Sequence, residues 1–210
     1  MAQVLKEAQR SRILSAARQE LLQYGYRDAS MRRIAQQAQM TVGNLYRYFK
    51  NKDELIRVIT EPALQRLDAL VRELTDDRVT LRQVNAQVGM TCQDLQDRMA
   101  VLAGQIVDLY FEMPQEMRIL MLHSTISDQI ALWFSHLLEV LWREWENLLL
   151  PQGQMQTLCR MLSAALCQGM REMFTWDPLP LDRGQLTAVL QAYFDLFVTM
   201  LGRFEKGAEK

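Results

Sequence analysis

Cysteine and histidine are scarce: Cys92, Cys159, Cys167, His123 and His136 are the five such residues in a chain of 210. None falls at a metal-ligand spacing and no CxxC pair occurs, so no pattern for a metal site or a dithiol couple is present. Free, buried thiols in a reducing compartment are the expectation. A redox sensor would need a basic, exposed neighbourhood, and only Arg160 adjoins a cysteine. The two histidines stand apart and read as polar contacts in a core or pocket. Nucleophile elbow, phosphate-binding loop and HExxH helix are all missing, so nothing points to an enzyme or a cofactor. Apolar runs stop short of the ~18 residues of a membrane span, and no signal-peptide pattern opens the chain. A soluble, cytoplasmic protein with no membrane partner is therefore expected. Sustained strand alternation is missing too, which leaves an all-α fold.

What is present is an uneven distribution of charge. The chain as a whole has a net charge of −1. Residues 1–57 hold 11 Lys and Arg against 5 Asp and Glu, while the remainder holds 13 against 20. A basic head thus sits on an acidic body. Phosphate binding needs local positive charge rather than a basic whole.

Within the head, residues Thr41 to Lys52 carry most information. On a wheel of about 100° per residue, Val42, Leu45 and Phe49 share one narrow arc, while Gly43, Asn44, Tyr46 and Arg47 point away from it. A short helix with a polar, basic and partly aromatic outer face suits the major groove of DNA. Before it, Ser30 is a plausible N-cap for a helix with Met31, Ile34, Ala35 and Ala38 on one face. Gln39-Met40 is the turn, and Thr41 caps the second helix. Upstream, Arg12 to Tyr24 reads as a helix with Ile13, Leu14, Ala17, Leu21 and Tyr24 inward, and Gly25 as its stop. Downstream, Asn51 and Glu54 make a capping-box-like pair that opens a fourth helix. Small Ala35 and Ala38 allow the close crossing of a helix-turn-helix at about residues 30–49.

Ile13-Leu14 with Ala17, Gly25-Tyr26, Ile34-Ala35, Ala38, Leu45-Tyr46, Tyr48-Phe49, Lys52 and Leu55 together resemble the N-terminal signature of the TetR family of bacterial regulators. The resemblance covers about Glu7 to Leu67. It departs at Gln39, where the family usually has Gly; a left-handed Gln39 would cost roughly 1 kcal/mol. Where Tyr48 stands the family often has His. What the resemblance implies is an N-terminal three-helix DNA-binding domain (1–57), a larger helical effector-binding and dimerisation domain (58–206) and a disordered tail (207–210). It also implies a ligand-responsive repressor that binds a near-palindromic double-stranded operator as a homodimer. Arg32, Arg33, Thr41, Val42, Gly43, Asn44, Tyr46, Arg47, Tyr48, Lys50 and Lys52 form the candidate DNA-binding set. Asn44, Tyr46 and Arg47 are assigned to base edges; Thr41, Tyr48, Lys50, Lys52, Arg32 and Arg33 are assigned to phosphates.

The body is rich in Leu and Met, with all four Trp and ten of the thirteen Met. Helical spacing runs from Thr91 to Met113, where Pro114 stops it, and again from about Asp128 to Leu150. Pro62 falls inside the helix begun at Asn51, where it is expected to kink the link between head and body. Asp108, Tyr110, Phe111, Met117, Met121, His123, Trp133, Phe134, Met170 and Phe174 are candidates for a pocket holding a small apolar or amphipathic effector. The helices Gln154–Phe174 and Gln185–Phe204 have broad apolar faces, the second capped by Asp182 and Gln185. Leu158, Leu162, Leu166, Met170, Leu190, Tyr193, Phe197 and Leu201 are the candidate dimer interface. Two other classes stay open on the residues alone: a DNA-binding protein without a small effector, and a helical protein-interaction module.

Overall fold

The computed structural model describes residues 2–75, 92–123, 128, 130–132, 134–136, 138–139, 151–176 and 180–202. Every element among them is helical: α1 (Ala2–Asp28), α2 (Met31–Gln37), α3 (Val42–Tyr48), α4 (Lys52–Thr75), α5 (Cys92–Glu112), α6 (Pro114–Leu122), α7 (Gln152–Thr175) and α8 (Arg183–Gly202). Further helical residues lie between 128 and 139. Residues 207–210, Trp133 and all of the predicted helix beyond residue 139 are outside the described residues, as is the side chain of Leu201.

Two apolar cores organise these helices. One is built from α1 to α4 around Ile13, Leu21, Ile34, Leu45, Phe49 and Ile59; the other takes in α4 to α8 around Leu67, Leu102, Ile106, Leu120, Phe174 and Phe194. The change from one to the other falls inside α4, between Ile59 and Ala63, where Pro62 stands. Helix α4 continues through this proline and does not end at it.

The short α6 departs from the sequence expectation. Pro114 does stop α5, but it also starts a new helix at its first position, where a missing N–H costs nothing. This helix contacts α1, α4 and α7. It sends Met117, Leu120 and Met121 into the body core and Ile119 into the head core. Arg18 and Glu116 pair across the same joint at 2.8 Å.

Helix ends follow local chemistry. The Asp182 amide donates to Gln185 Oε1 at 3.0 Å and the Gln185 amide to Asp182 Oδ1 at 2.8 Å, a reciprocal capping box. Asn51 Oδ1 accepts from the Glu54 amide at 2.8 Å, while Glu54 reaches back to the Lys50 amide at 2.7 Å. Ser30 occupies its predicted cap position without using its hydroxyl. Its amide donates instead to the buried Glu20 at 2.9 Å, and Arg33 Nε does so at 2.6 Å. Helix α1 runs ten residues farther upstream than predicted and breaks at Gly25 (φ 70°, ψ 177°), a conformation closed to other residues. Tyr24 is not inward. It is 42% exposed, with the Arg33 guanidinium 4.3 Å above its ring.

At the helix-turn-helix corner Gln39 is left-handed, with φ 56°. The Met40 amide bonds the Ala35 carbonyl at 3.0 Å and the Gln39 amide bonds that of Gln36 at 3.1 Å, so α2 ends in a Schellman motif with Gln in the glycine position. Gln39→Gly is expected to raise stability by about 0.5–1 kcal/mol in denaturant unfolding, because relief of the left-handed strain exceeds the added freedom of the unfolded chain. A loss of stability would show that the Gln39 side chain contributes more than its backbone costs.

Candidate nucleic-acid interface

Thr41 begins α3 by accepting the Asn44 amide on its hydroxyl at 3.2 Å. Leu45 and Phe49 are buried in the head core, and Val42 is half-buried against it. Val42 thus helps seat the helix from the apolar side. The opposite face presents Gly43, Tyr46 and Arg47 to solvent, with Asn44 partly exposed. A Cβ on Gly43 would meet open space, so nothing within the chain requires glycine there.

Two clefts open along this face. One, of about 650 Å³, lies between Gln9 and Arg12 of α1, the turn at Gln39–Thr41, and Gly43, Asn44 and Arg47. The other, of about 500 Å³, is lined by Leu5, Lys6, Gln9, Asn44, Arg47 and Tyr48. The α1 residues were missed in the sequence, although no Gly or Pro occurs before Gly25 to stop a helix running back along α3.

The predicted phosphate-holding cations divide into two groups. Arg32 and Lys50 are exposed. Arg33 is tied to Glu20 and the Asp28 carbonyl, and the hydrogen bond with Glu20 raises its pKa further. Lys52 is occupied still more fully. Its ammonium bonds the carbonyls of Tyr26, Arg27 (3.3 Å) and Ala29 (3.0 Å) and lies 4.5 Å from the centre of the Tyr26 ring. These carbonyls are left free where α1 breaks, and a cation at a helix C-terminus satisfies them. The Tyr48 hydroxyl donates to Gln9 Oε1.

The other candidates are divided between the surface and the body core. Asp108 is on the surface, paired with Arg183 at 2.6 Å, and Phe111 is exposed beside that same arginine. Tyr110, Met117, Met121, Phe134, Met170 and Phe174 are all buried in the body core, with Tyr110 and Phe174 stacked at 4.9 Å. Leu162, Leu166, Met170 and Leu190 are buried in that core as well; Leu158, Tyr193 and Phe197 are partly buried against it. The apolar side chains exposed on α7 and α8 are Met161, Val189, Leu196 and Met200. A wheel finds apolar stripes but does not say which stripe meets the chain's own core.

His123 lies at the joint between the two cores, edge-on to the Tyr26 ring at 4.6 Å. Both ring nitrogens are buried without a hydrogen-bond partner. Burial lowers its pKa below 6.5, opposed by the negative charge of Asp53, which accepts the Tyr26 hydroxyl at 2.6 Å. Below pH 6.5 the unfolded chain takes up a proton at this site that the folded chain resists, so the stability contributed by neutral His123 is present above pH 6.5 and lost as pH falls through the folded pKa. Thermal melts are expected to show a drop below pH 6.5 that is smaller in His123→Gln. An equal drop in both proteins would place the titrating group elsewhere. Desolvation moves the Cys159 thiol up to about 11 and Cys167 up to about 12; both stay neutral and buried, unlike a redox sensor.

Residues 13–59 match the family model of bacterial regulatory proteins, tetR family. Over that segment the head is of the TetR type. The likeness in fold extends well beyond it. The crystal structure of the TetR-family regulator PfmR from Thermus thermophilus aligns with a TM-score of 0.55 at 18% identity, over 89% of this chain and 97% of that one. NalD, the secondary repressor of the MexAB-OprM multidrug efflux pump in Pseudomonas aeruginosa, aligns with 0.52 at 20% identity, over 90% and 95%. A TetR-like regulator from Rhodococcus sp. RHA1 gives 0.53 at 12% identity, over 92% and 96%. Comparison of the sequence with curated proteins finds no match. No helix among the described residues is long and apolar enough to cross a membrane.

Proposed function

We propose that the protein is a homodimeric repressor that reads a near-palindromic operator with α3, one copy of the helix per half-site. The observation that carries this is the two-sidedness of α3: Leu45 and Phe49 are fully buried while Tyr46 and Arg47 stand free. Arg47 reads a guanine, Asn44 and Tyr46 contact neighbouring base edges, and Thr41, Lys50 and Arg32 hold phosphates. Bare Gly43 lets the helix backbone approach the DNA closely. Lys52 and Arg33, engaged within the head, serve to fix its shape. Selection of bound sites from random DNA is the test, and a two-fold motif with half-sites a whole number of helical turns apart is the expected result. On that motif Arg47→Ala should relax preference at one position by about 1–3 kcal/mol. A uniform loss of affinity on all sequences would remove Arg47 from base reading.

Release of the operator by a small apolar or amphipathic effector is the family's usual logic, and pliable Met117, Met121 and Met170 are the side chains that would make room. A second reading, a regulator without such an effector, is favoured by the close packing of the candidate pocket residues, none of the six buried ones more than 6% exposed. A panel of apolar compounds that raises the melting temperature and releases DNA supports the first reading; a panel without effect supports the second.

A further inference from the structure

We infer that the first turns of α1 form the second wall of the DNA-reading surface, with Gln9 determining specificity beside Arg47 and with Lys6 and Arg12 holding phosphates on either side. This rests on the proposal above and extends it to residues upstream of the matched segment 13–59. Gln9, Asn44 and Arg47 line both clefts and so form the ridge between them. Gln9 is half-buried, and its Oε1 accepts the Tyr48 hydroxyl, which holds the side chain across the gap between α1 and the end of α3. The Arg10 guanidinium, 5.8 Å from the centre of the Phe49 ring, braces α1 at the same place.

With Tyr48 on its oxygen, the Gln9 amide keeps two N–H donors, and the neighbouring Arg47 guanidinium is a donor only. Their complement is purine N7, guanine O6, thymine O4 or phosphate oxygen, all of which DNA supplies. Lys6 lines one cleft and Arg12 the other, both exposed. At three-residue intervals Lys6, Gln9 and Arg12 climb one side of α1, a cation on each side of the amide. The half-site is therefore wider than α3 alone would read.

The test measures binding of the full chain to the operator selected from random DNA and to its single-base-pair variants. Gln9→Ala is expected to cut preference about tenfold at a base pair distinct from the one relaxed by Arg47→Ala, in a chain that still unfolds cooperatively. Gln9→Glu keeps the size and the acceptor for Tyr48 but loses the donors, and should bind more weakly than Gln9→Ala. Lys6→Ala with Arg12→Ala should lower the salt slope by about 2 and leave base preference intact. Gln9→Ala that keeps every base preference, or loses affinity equally on all sequences, overturns the role of Gln9. An unchanged salt slope in the double variant overturns the phosphate contacts. A wild-type chain that selects no sequence at all overturns the DNA-binding proposal itself, a failure distinguishable from either of these.

Discussion

Met161→Glu combined with Leu196→Glu is expected to give a folded monomer whose operator affinity falls by about 10²–10⁴, the loss incurred when two linked contacts become one. Met161 and Leu196 are 65% and 64% exposed on α7 and α8, with Met200 (53%) and Val189 (44%) beside Leu196 on α8. The two helices are held close: the Tyr193 hydroxyl donates to the Ala165 carbonyl at 2.7 Å, and its ring lies so near Gly169 that a Cβ there would be 2.2 Å from the hydroxyl. The exposed stripes therefore lie side by side, with small Ala164, Ala165, Ala188 and Ala192 between the larger side chains. Burying one large apolar side chain contributes about 1.5–3 kcal/mol, and two-fold symmetry counts each one twice. Two glutamates per protomer would place four unpaired charges in a dimer interface built on these stripes. Because these side chains do not enter the chain's own core, the variant should retain its helix content. Sedimentation and operator titration on one preparation check both parts, and a double variant that still sediments as a dimer would move the interface elsewhere.

Ile119→Ala is expected to cost about 2–4 kcal/mol and to be felt in the head, although the residue belongs to a helix packed mostly on the body. Ile119 is 3% exposed within the head core, while its neighbours Met117, Leu120 and Met121 fill the body core. The side chain is thus a peg from one core into the other, with the Arg18–Glu116 pair beside it. Native-state hydrogen exchange should show protection falling in α1 and in the first half of α4 more than in α7 and α8. A uniform loss over all helices would mean that the two cores unfold as one unit. Helix α6, which enters both cores, is positioned to couple any motion of the body to the head.

The sequence is most legible where cause and effect are near neighbours along the chain. The left-handed Gln39, the Thr41 cap and the Asn51 and Asp182 caps all rest on contacts within about five residues. Illegible features depend on distant partners. Lys52 belongs to the motif that carries the family resemblance, yet its carbonyl partners lie 23 to 26 residues upstream. Tyr24 has the spacing of a core residue, but it faces outward under Arg33. Leu162 and Leu190 have the spacing of interface residues and are buried within the chain instead. Pro114 reads as a full stop because a single proline signal serves both the end of one helix and the beginning of the next.

The change of core within α4 also bears on how such a regulator could be taken apart. Pro62, between the last head residue Ile59 and the first body residue Ala63, marks the seam at which this head could be grafted onto another regulator's body. A graft cut there would carry over the DNA-reading face complete, but it would leave behind Ile119, and the transplanted head would arrive with a hole in its core. The recipient body would have to supply an isoleucine of its own from an α6-like helix. Heads of this kind are interchangeable parts only between bodies that bring a matching peg.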